Sequence, residues 1–160
     1  MADIMRDAQK RIEDIRRRTV KIVVRRDGSP VPDAQVELRM NRHQFLFGCD
    51  CYCANTYDTP EKEKRHKELF SGLFNYATLP FYWGQYEPVR GEKSEKRLSN
   101  MVEWCKSIDL STKGHPLVWH EILPDWLNSD HDIEKLIQER IEDLMERFGD
   151  QIDYWDLFNE

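Results

Sequence analysis

The sequence predicts an α/β fold on a parallel sheet. Three observations carry this: short runs rich in Val, Ile, Tyr and Phe, amphipathic helical segments between them, and polar, chemically able residues where the strands stop. Intervals of this length imply right-handed crossovers. Two architectures satisfy them, an open doubly wound sheet and a closed (β/α)8 barrel. No Gly-x-Gly-x-x-Gly or P-loop run follows a strand, which removes the commonest phosphate-binding version of the open sheet.

The elements follow in order. Residues 2–17 place Ile4, Met5, Ala8, Ile12 and Ile15 at helical spacing among charged residues and predict an amphipathic lead-in helix. Residues 19–26 and 34–40 are rich in Val and other apolar residues, and with Asp27-Gly28-Ser29-Pro30 as a turn they predict a β-hairpin. Residues 44–48 open the strand-helix alternation, so 1–43 is read as a lead-in and 44–160 as the main domain. Thr59 caps a helix with Pro60 at its first position and Leu69, Phe70, Leu73 and Phe74 on its apolar side. Strand two falls at 76–79, and an aromatic loop at 80–91 leads to a helix from Ser94 with Leu98, Met101, Val102 and Cys105 on one face. Strand three lies within 111–120. Ser129 or Asp130 is expected to cap a helix that runs through Ile133, Leu136, Ile137, Ile141, Leu144 and Phe148 to Gly149, and strand four is 152–158. No internal repeat or low-complexity tract interrupts this order.

With 160 residues the chain is long enough for one compact domain and too short for two ordinary ones. Lys and Arg number 24 against 30 Asp and Glu, a formal charge of −6 that repels phosphate backbones and argues against a nucleic-acid partner. No run approaches the roughly 20 apolar residues of a membrane span, and the charged N-terminus has no signal-peptide core. Cys49, Cys51 and Cys53 alternate, so on a strand they share a face. The spacing differs from the C-x₂₋₄-C of zinc sites, no second ligand pair follows, and packing inside a barrel or under a helix layer is the blander reading.

Three stretches carry chemistry. Asp156-Leu157-Phe158-Asn159-Glu160 sets a carboxylate and an amide at the end of an apolar, aromatic strand. Aromatic surroundings disfavour the charged form of a carboxylate, which suits a proton donor working near neutral pH. Glu160 is therefore the proton-donor candidate, the alternative being a solvated Asn-Glu dipeptide. In Gly114-His115-Pro116-Leu117-Val118-Trp119-His120 the two histidines fall on opposite strand faces, so they do not chelate one metal. Each is either a satisfied structural histidine or, beside an aromatic at a strand end, part of a sugar-binding surface. Phe81-Tyr82-Trp83-Gly84-Gln85-Tyr86 packs four aromatics into six positions, which cover a core or line a cleft, and Trp126 offers a further wall.

Taken together, Phe74-Asn75-Tyr76-Ala77-Thr78, Trp83 with Glu87-Pro88 and Gly91, Gly114-His115-Pro116-Leu117-Val118-Trp119-His120 with Leu123-Pro124-Asp125-Trp126, and Tyr154-Trp155-Asp156-Leu157-Phe158-Asn159-Glu160 resemble glycoside hydrolase family 10, the retaining endo-β-1,4-xylanases on a TIM barrel. The resemblance covers about residues 45–160. It implies a (β/α)8 barrel, of which about the first four β/α units are present here, preceded by the helix and hairpin. It also implies that Glu160 is the general acid/base, that Asn159 hydrogen-bonds the sugar 2-hydroxyl, that His120 binds the sugar at the point of cleavage and that Trp119 supports the same wall. Trp83, Tyr82 and Trp126, read from the aromatic stretches as cleft walls, complete the expected substrate-binding set. The implied partner is a β-linked plant polysaccharide, with no metal or organic cofactor and an extracellular location.

Two features depart from the family pattern. The stretch before Trp83 usually supplies a Glu, an Asn and a Lys, whereas Leu79 stands at the usual Asn and Tyr82 at the usual Lys. Aromatic and apolar surface there opens a different or decorated β-linked polysaccharide as substrate. A barrel also takes roughly 200 residues or more, and a retaining enzyme needs a nucleophile about 5 to 5.5 Å from its acid/base. The chain is thus expected to be the N-terminal half of a larger enzyme, inactive alone, with its nucleophile beyond residue 160 and unpaired strand edges that favour self-association. Two rival readings are a carbohydrate-binding protein that keeps the cleft without catalysis and a self-contained α/β interaction domain.

Overall fold

The computed structural model describes residues 2–160. The chain divides into two units, Met1–Arg39 and Met40–Glu160. The expected boundary at 43/44 thus falls inside the second unit, and a side chain explains why. Asn75 Nδ2 donates to the carbonyls of His43 and Phe45, and Asn75 Oδ1 accepts from Phe47 N at 2.7 Å.

In the first unit, α1 (Ala2–Arg16) carries Asp3 in its first turn and Arg16 in its last, charges that match the helix dipole. The hairpin is shorter than the sequence predicts: β1 (Arg25–Arg26) pairs antiparallel with β2 (Ser29–Pro30). Asp27 at φ 51° and Gly28 at φ 79° supply the two left-handed residues that a two-residue hairpin turn requires. Residues 34–40 form no strand. Pro30 and Pro32 remove amide donors from the returning arm, and only Val31 N→Val24 O at 2.9 Å extends the pairing before Asp33 turns the chain at φ 56°. None of this unit's described residues is buried.

The second unit runs β3 (Gly48–Asp50), α2 (Pro60–Leu73), β4 (Tyr76–Pro80), α3 (Trp83–Tyr86), α4 (Glu95–Ser107), β5 (Ser111–His115), β6 (Val118–Trp119), α5 (Ile133–Phe148), a 3₁₀ turn (Gly149–Gln151), β7 (Tyr154–Trp155) and β8 (Phe158–Asn159). Strands β3, β4, β5 and β7 form one parallel sheet in that order, and β6 and β8 form a second parallel pair. Strand one is thus displaced from 44–48 to 48–50, because Asn75 takes the backbone groups of the expected segment. Gly48 is needed at its start, since a Cβ there would overlap the Tyr76 carbonyl. The expected strands at 111–120 and 152–158 each appear as two short pieces. Pro116 has no N–H to give the ladder, and Leu117 N→Asp156 O (2.9 Å) and Val118 N→Leu157 O (3.0 Å) carry the pairing past it.

The helix ends follow local chemistry. Thr59 Oγ1 accepts from Lys62 N ahead of Pro60, as expected. The cap of α5 is Asp132, which accepts from Lys135 N, and not Ser129 or Asp130. Residues 128–131 are taken by a turn in which Asp130 N donates to Asn128 Oδ1 and His131 N to Asn128 O.

Alternation on the strands sorts the side chains. Ala77, Leu79 and Thr112 turn to the core they share with Phe70, Leu98, Met101, Val102, Cys105, Leu144 and Phe148 of the helices. Tyr76, Thr78, Lys113 and His115 take the opposite face and stay partly open. Arg140 of α5 is 6% exposed; its Nε donates to Leu117 O at 2.7 Å and its Nη2 to Phe81 O. The guanidinium lies 5.4 Å over the Trp83 ring and 5.6 Å from that of Tyr86. Burial lowers its pKa to about 10, which leaves it a cation at neutral pH. Among the described residues no helix is long and apolar enough to cross a membrane.

Gly114 is a second close approach in the sheet, where a Cβ would overlap the Trp155 ring. Gly114→Ala in the full-length protein is expected to cost about 1–3 kcal/mol. An unchanged denaturation midpoint would contradict that packing.

Candidate active site

The carboxyl ends of the strands converge on two adjoining groups of side chains. The first forms around Tyr82, which directly follows β4 and Phe81 and is half-buried. Its ring meets His115 edge-on at 5.6 Å, Trp119 at 5.6 Å with a 42° tilt, and Tyr52 edge-on at 5.7 Å. Tyr82 Oη donates to Tyr52 Oη at 3.2 Å. Burial, and then the hydrogen bond to Tyr82, push the Tyr52 phenol well above its ordinary range, so it stays neutral. Arg97 of α4 holds the backbone beneath this pair by donating to Tyr52 O at 2.9 Å.

The second group lies on the open face of the sheet. Asp156 Oδ2 accepts from His115 Nδ1 and from Lys113 Nζ, both at 2.8 Å. This bond puts the imidazole proton on Nδ1 and leaves Nε2 without a partner among the described residues. Burial pushes the Asp156 carboxyl up, but the hydrogen bonds from Lys113 and His115 outweigh it and hold the group below the usual carboxylate range.

The residues singled out from the sequence separate under this geometry. Trp119 pairs in register with Asn159 across β6 and β8, so His120 and Glu160 are the next residues along two neighbouring strands. Both His120 and Glu160 are exposed, and Glu160 is not enclosed by aromatic rings among the described residues. Tyr82 and Trp119 stand together at the mouth. Trp83, by contrast, is 3% exposed and sits under Arg140, 6.0 Å from the Trp126 ring. Trp126 Nε1 donates to Glu87 O at 2.9 Å. These two tryptophans line a small separate cavity of about 110 Å³ with Glu87, Arg90, Arg140 and Asp143. The aromatic loop is thus divided: Phe81, Trp83 and Tyr86 enter the interior and Tyr82 reaches the mouth.

A larger groove of about 610 Å³ runs along α2 between Asp50, Tyr57, His66, Leu69 and Leu73. Cys49 lines it, but none of the expected catalytic or substrate-binding residues does. The cysteines do not share a face, because β3 ends at Asp50: Cys51 is buried while Cys49 and Cys53 are exposed. Burial raises the Cys51 and Cys105 thiols to about 12. Tyr52, Lys113, Asp156 and Arg140 went unmarked as site residues in the sequence. Lys113 and His115 share a strand parity, and Asp156, the residue after β7, continues the β5–β7 register that brings it opposite His115.

Comparisons with known proteins identify the family and the fold. The model of glycosyl hydrolase family 10 matches residues 41–160. The chain belongs to glycosyl hydrolase family 10. Among family 10 structures, an endoxylanase from a sugarcane soil metagenome matches 72% of this chain at a TM-score of 0.63 and 24% identity, with 36% of its own length covered. The sheet, its helices and their order are accordingly the N-terminal part of a (β/α)8 barrel, as the sequence predicts. Endo-1,4-beta-xylanase 2 of Arabidopsis thaliana is 25% identical over 84% of the chain, which spans 13% of that protein. The anti-sigma-I factor RsgI6 of Acetivibrio thermocellus is 27% identical over 96% of the chain, which spans 20% of its length. This family 10 chain thus spans a fifth or less of these curated relatives.

The Asp156 carboxylate contributes stability above its unfolded value of about 3.9, and that contribution is lost as pH falls through its lower folded value. Lys113→Met removes one of the two donors. Carboxyl NMR titration of Asp156 in the full-length variant is then expected to move up toward 3.9, with acid unfolding starting at higher pH. An unmoved Asp156 titration would contradict the ion pair.

Proposed function

We propose that this chain is the acid/base-bearing part of a retaining glycoside hydrolase acting on β-linked plant polysaccharide, as an endo-1,4-β-xylanase does. The observation that supports the reading is the parallel pairing of Trp119 with Asn159. It makes His120 and Glu160 successive strand-end residues beside an aromatic wall, the arrangement a sugar needs for stacking on its C–H face and hydrogen bonds to its hydroxyls.

In the proposed reaction Glu160 donates its proton to the glycosidic oxygen as the bond to the anomeric carbon breaks. A carboxylate elsewhere in the full-length protein attacks that carbon and forms a glycosyl-enzyme ester. Glu160, now ionised, takes a proton from water, which attacks the same carbon and releases the sugar with retention. Asn159 holds the 2-hydroxyl, His120 the sugar at the point of cleavage, and Trp119 and Tyr82 the ring face. Trp83 supports this surface from behind through Arg140, and Trp126 packs against Trp83. The remaining strands of the barrel are the partner that closes the fold.

A second reading is a carbohydrate-binding protein that keeps the cleft without turnover. It draws on Tyr82 at the mouth, where the family pattern has a polar residue, and on the similarity to a protein named as an anti-sigma factor; Leu79, expected to offer apolar cleft surface, is instead buried in the core.

Glu160→Gln in the full-length protein is expected to lower kcat/KM on an unactivated β-xylan by about 10²–10⁴-fold. An aryl glycoside with a good leaving group, which needs little protonation, is expected to lose less in the glycosylation step. Undiminished xylan hydrolysis would exclude Glu160 as the acid. Tight glycan binding with no reducing-sugar release by the unaltered protein would establish the second reading.

A further inference from the structure

The aromatic mouth over β3, β4 and β5 offers neutral groups, while the cations around it are already engaged. Tyr82 stands among Tyr52, His115 and Trp119, and its hydroxyl is joined to that of Tyr52 at 3.2 Å. Lys113 is paired with Asp156 at 2.8 Å, and Arg97 donates to the Tyr52 carbonyl at 2.9 Å. The carboxylates of Asp50 and Asp156 act on the Tyr52 phenol, and Glu160 follows Asn159 on β8. A ligand carboxylate docking here would lose water against aromatic faces, meet like charge, and find Lys113 already paired with Asp156 and the Arg97 guanidinium turned to the Tyr52 carbonyl with its Nε buried. An uncharged pyranose has none of these penalties, since its C–H face stacks on the rings and its hydroxyls exchange bonds with two phenols.

We propose that Tyr82, braced by Tyr52, is the specificity-determining residue of this mouth, selecting neutral β-linked glycans and discriminating against chains that carry uronic acid. The proposal rests on the glycan-binding reading above and names the substrate class within it. Discrimination by an unfavourable environment for the wrong ligand, rather than by extra contacts to the right one, is a common route to selectivity.

The test uses the full-length protein carrying Glu160→Gln, so that bound glycan persists, with calorimetric titration of neutral xylohexaose and of xylohexaose bearing one glucuronic acid branch. The protein with Tyr82 is expected to bind the neutral glycan at least about tenfold more tightly, a difference of about 1.4 kcal/mol. Tyr82→Lys is expected to abolish or invert that preference, and the gain for the acidic glycan is expected to shrink as salt is raised. Tyr82→Phe keeps a neutral ring and is expected to keep the preference. Because a lysine at position 82 can disturb folding, Tyr52→Lys places the same charge from the other side of the hydroxyl pair. Equal binding of both glycans before substitution, or an unchanged ratio in both lysine variants, overturns the proposal. Failure of the protein to bind either glycan overturns the glycan-binding reading and the selectivity with it.

Discussion

The buried guanidinium of Arg140 is the interaction on which the site depends. Removing a cation from water costs several kcal/mol unless its donors find acceptors. Here Nε and Nη2 are satisfied by the carbonyls of Leu117 and Phe81, Nη1 has no hydrogen-bond partner among the described residues, and the faces of Trp83 and Tyr86 cover the charge. Those carbonyls belong to the segments that follow β4 and β5, each next to or near a residue of the mouth. One side chain of α5 thereby holds Tyr82 and Trp119 in a common frame. Trp83, which looks like a cleft wall in sequence, serves this frame, because an aromatic face is what a buried guanidinium needs beside it, and Trp126 packs edge-on against Trp83.

A second constraint is the missing amide of Pro116. A continuous strand would run straight through this position, but without an N–H the ladder is interrupted and resumes at Val118. Asp156 lies in the gap, where its backbone N donates to Gly114 O and its carbonyl accepts from Leu117 N. Its side chain gathers Lys113 and His115 on the open face. The same break that shortens the strands thus fixes one histidine in a single tautomer beside the aromatic mouth.

Much of this was legible beforehand. The helices announced themselves by period and by caps such as Thr59-Pro60, and the parallel order followed from their alternation with short apolar runs. The Asp27-Gly28 turn was equally plain, but the length of its hairpin was not, because Pro30 and Pro32 act on a partner strand that only folding identifies. Strand one begins later than its side chains predict for a related reason. Residues 44–48 have strand-like side chains, yet the Asn75 side chain, some thirty positions away, claims their backbone groups. Asp132 displaced Ser129 and Asp130 as a cap because Asn128 had already drawn those residues into a turn.

By itself the sequence determined the fold class, the family, the order of elements and the identity of the residues at the strand ends. These depend on local periodicity and on motifs contiguous in the chain. Tertiary structure alone decided which of those residues meet. It separated Trp83 from Tyr82, neighbours in sequence, because the chain turns into α3 at Trp83 and carries that side chain inward under Arg140. It joined Lys113 and His115 to Asp156, and Tyr52 to Tyr82, because strand register is a long-range property set by packing and hydrogen bonding between distant segments, which no single stretch of sequence encodes.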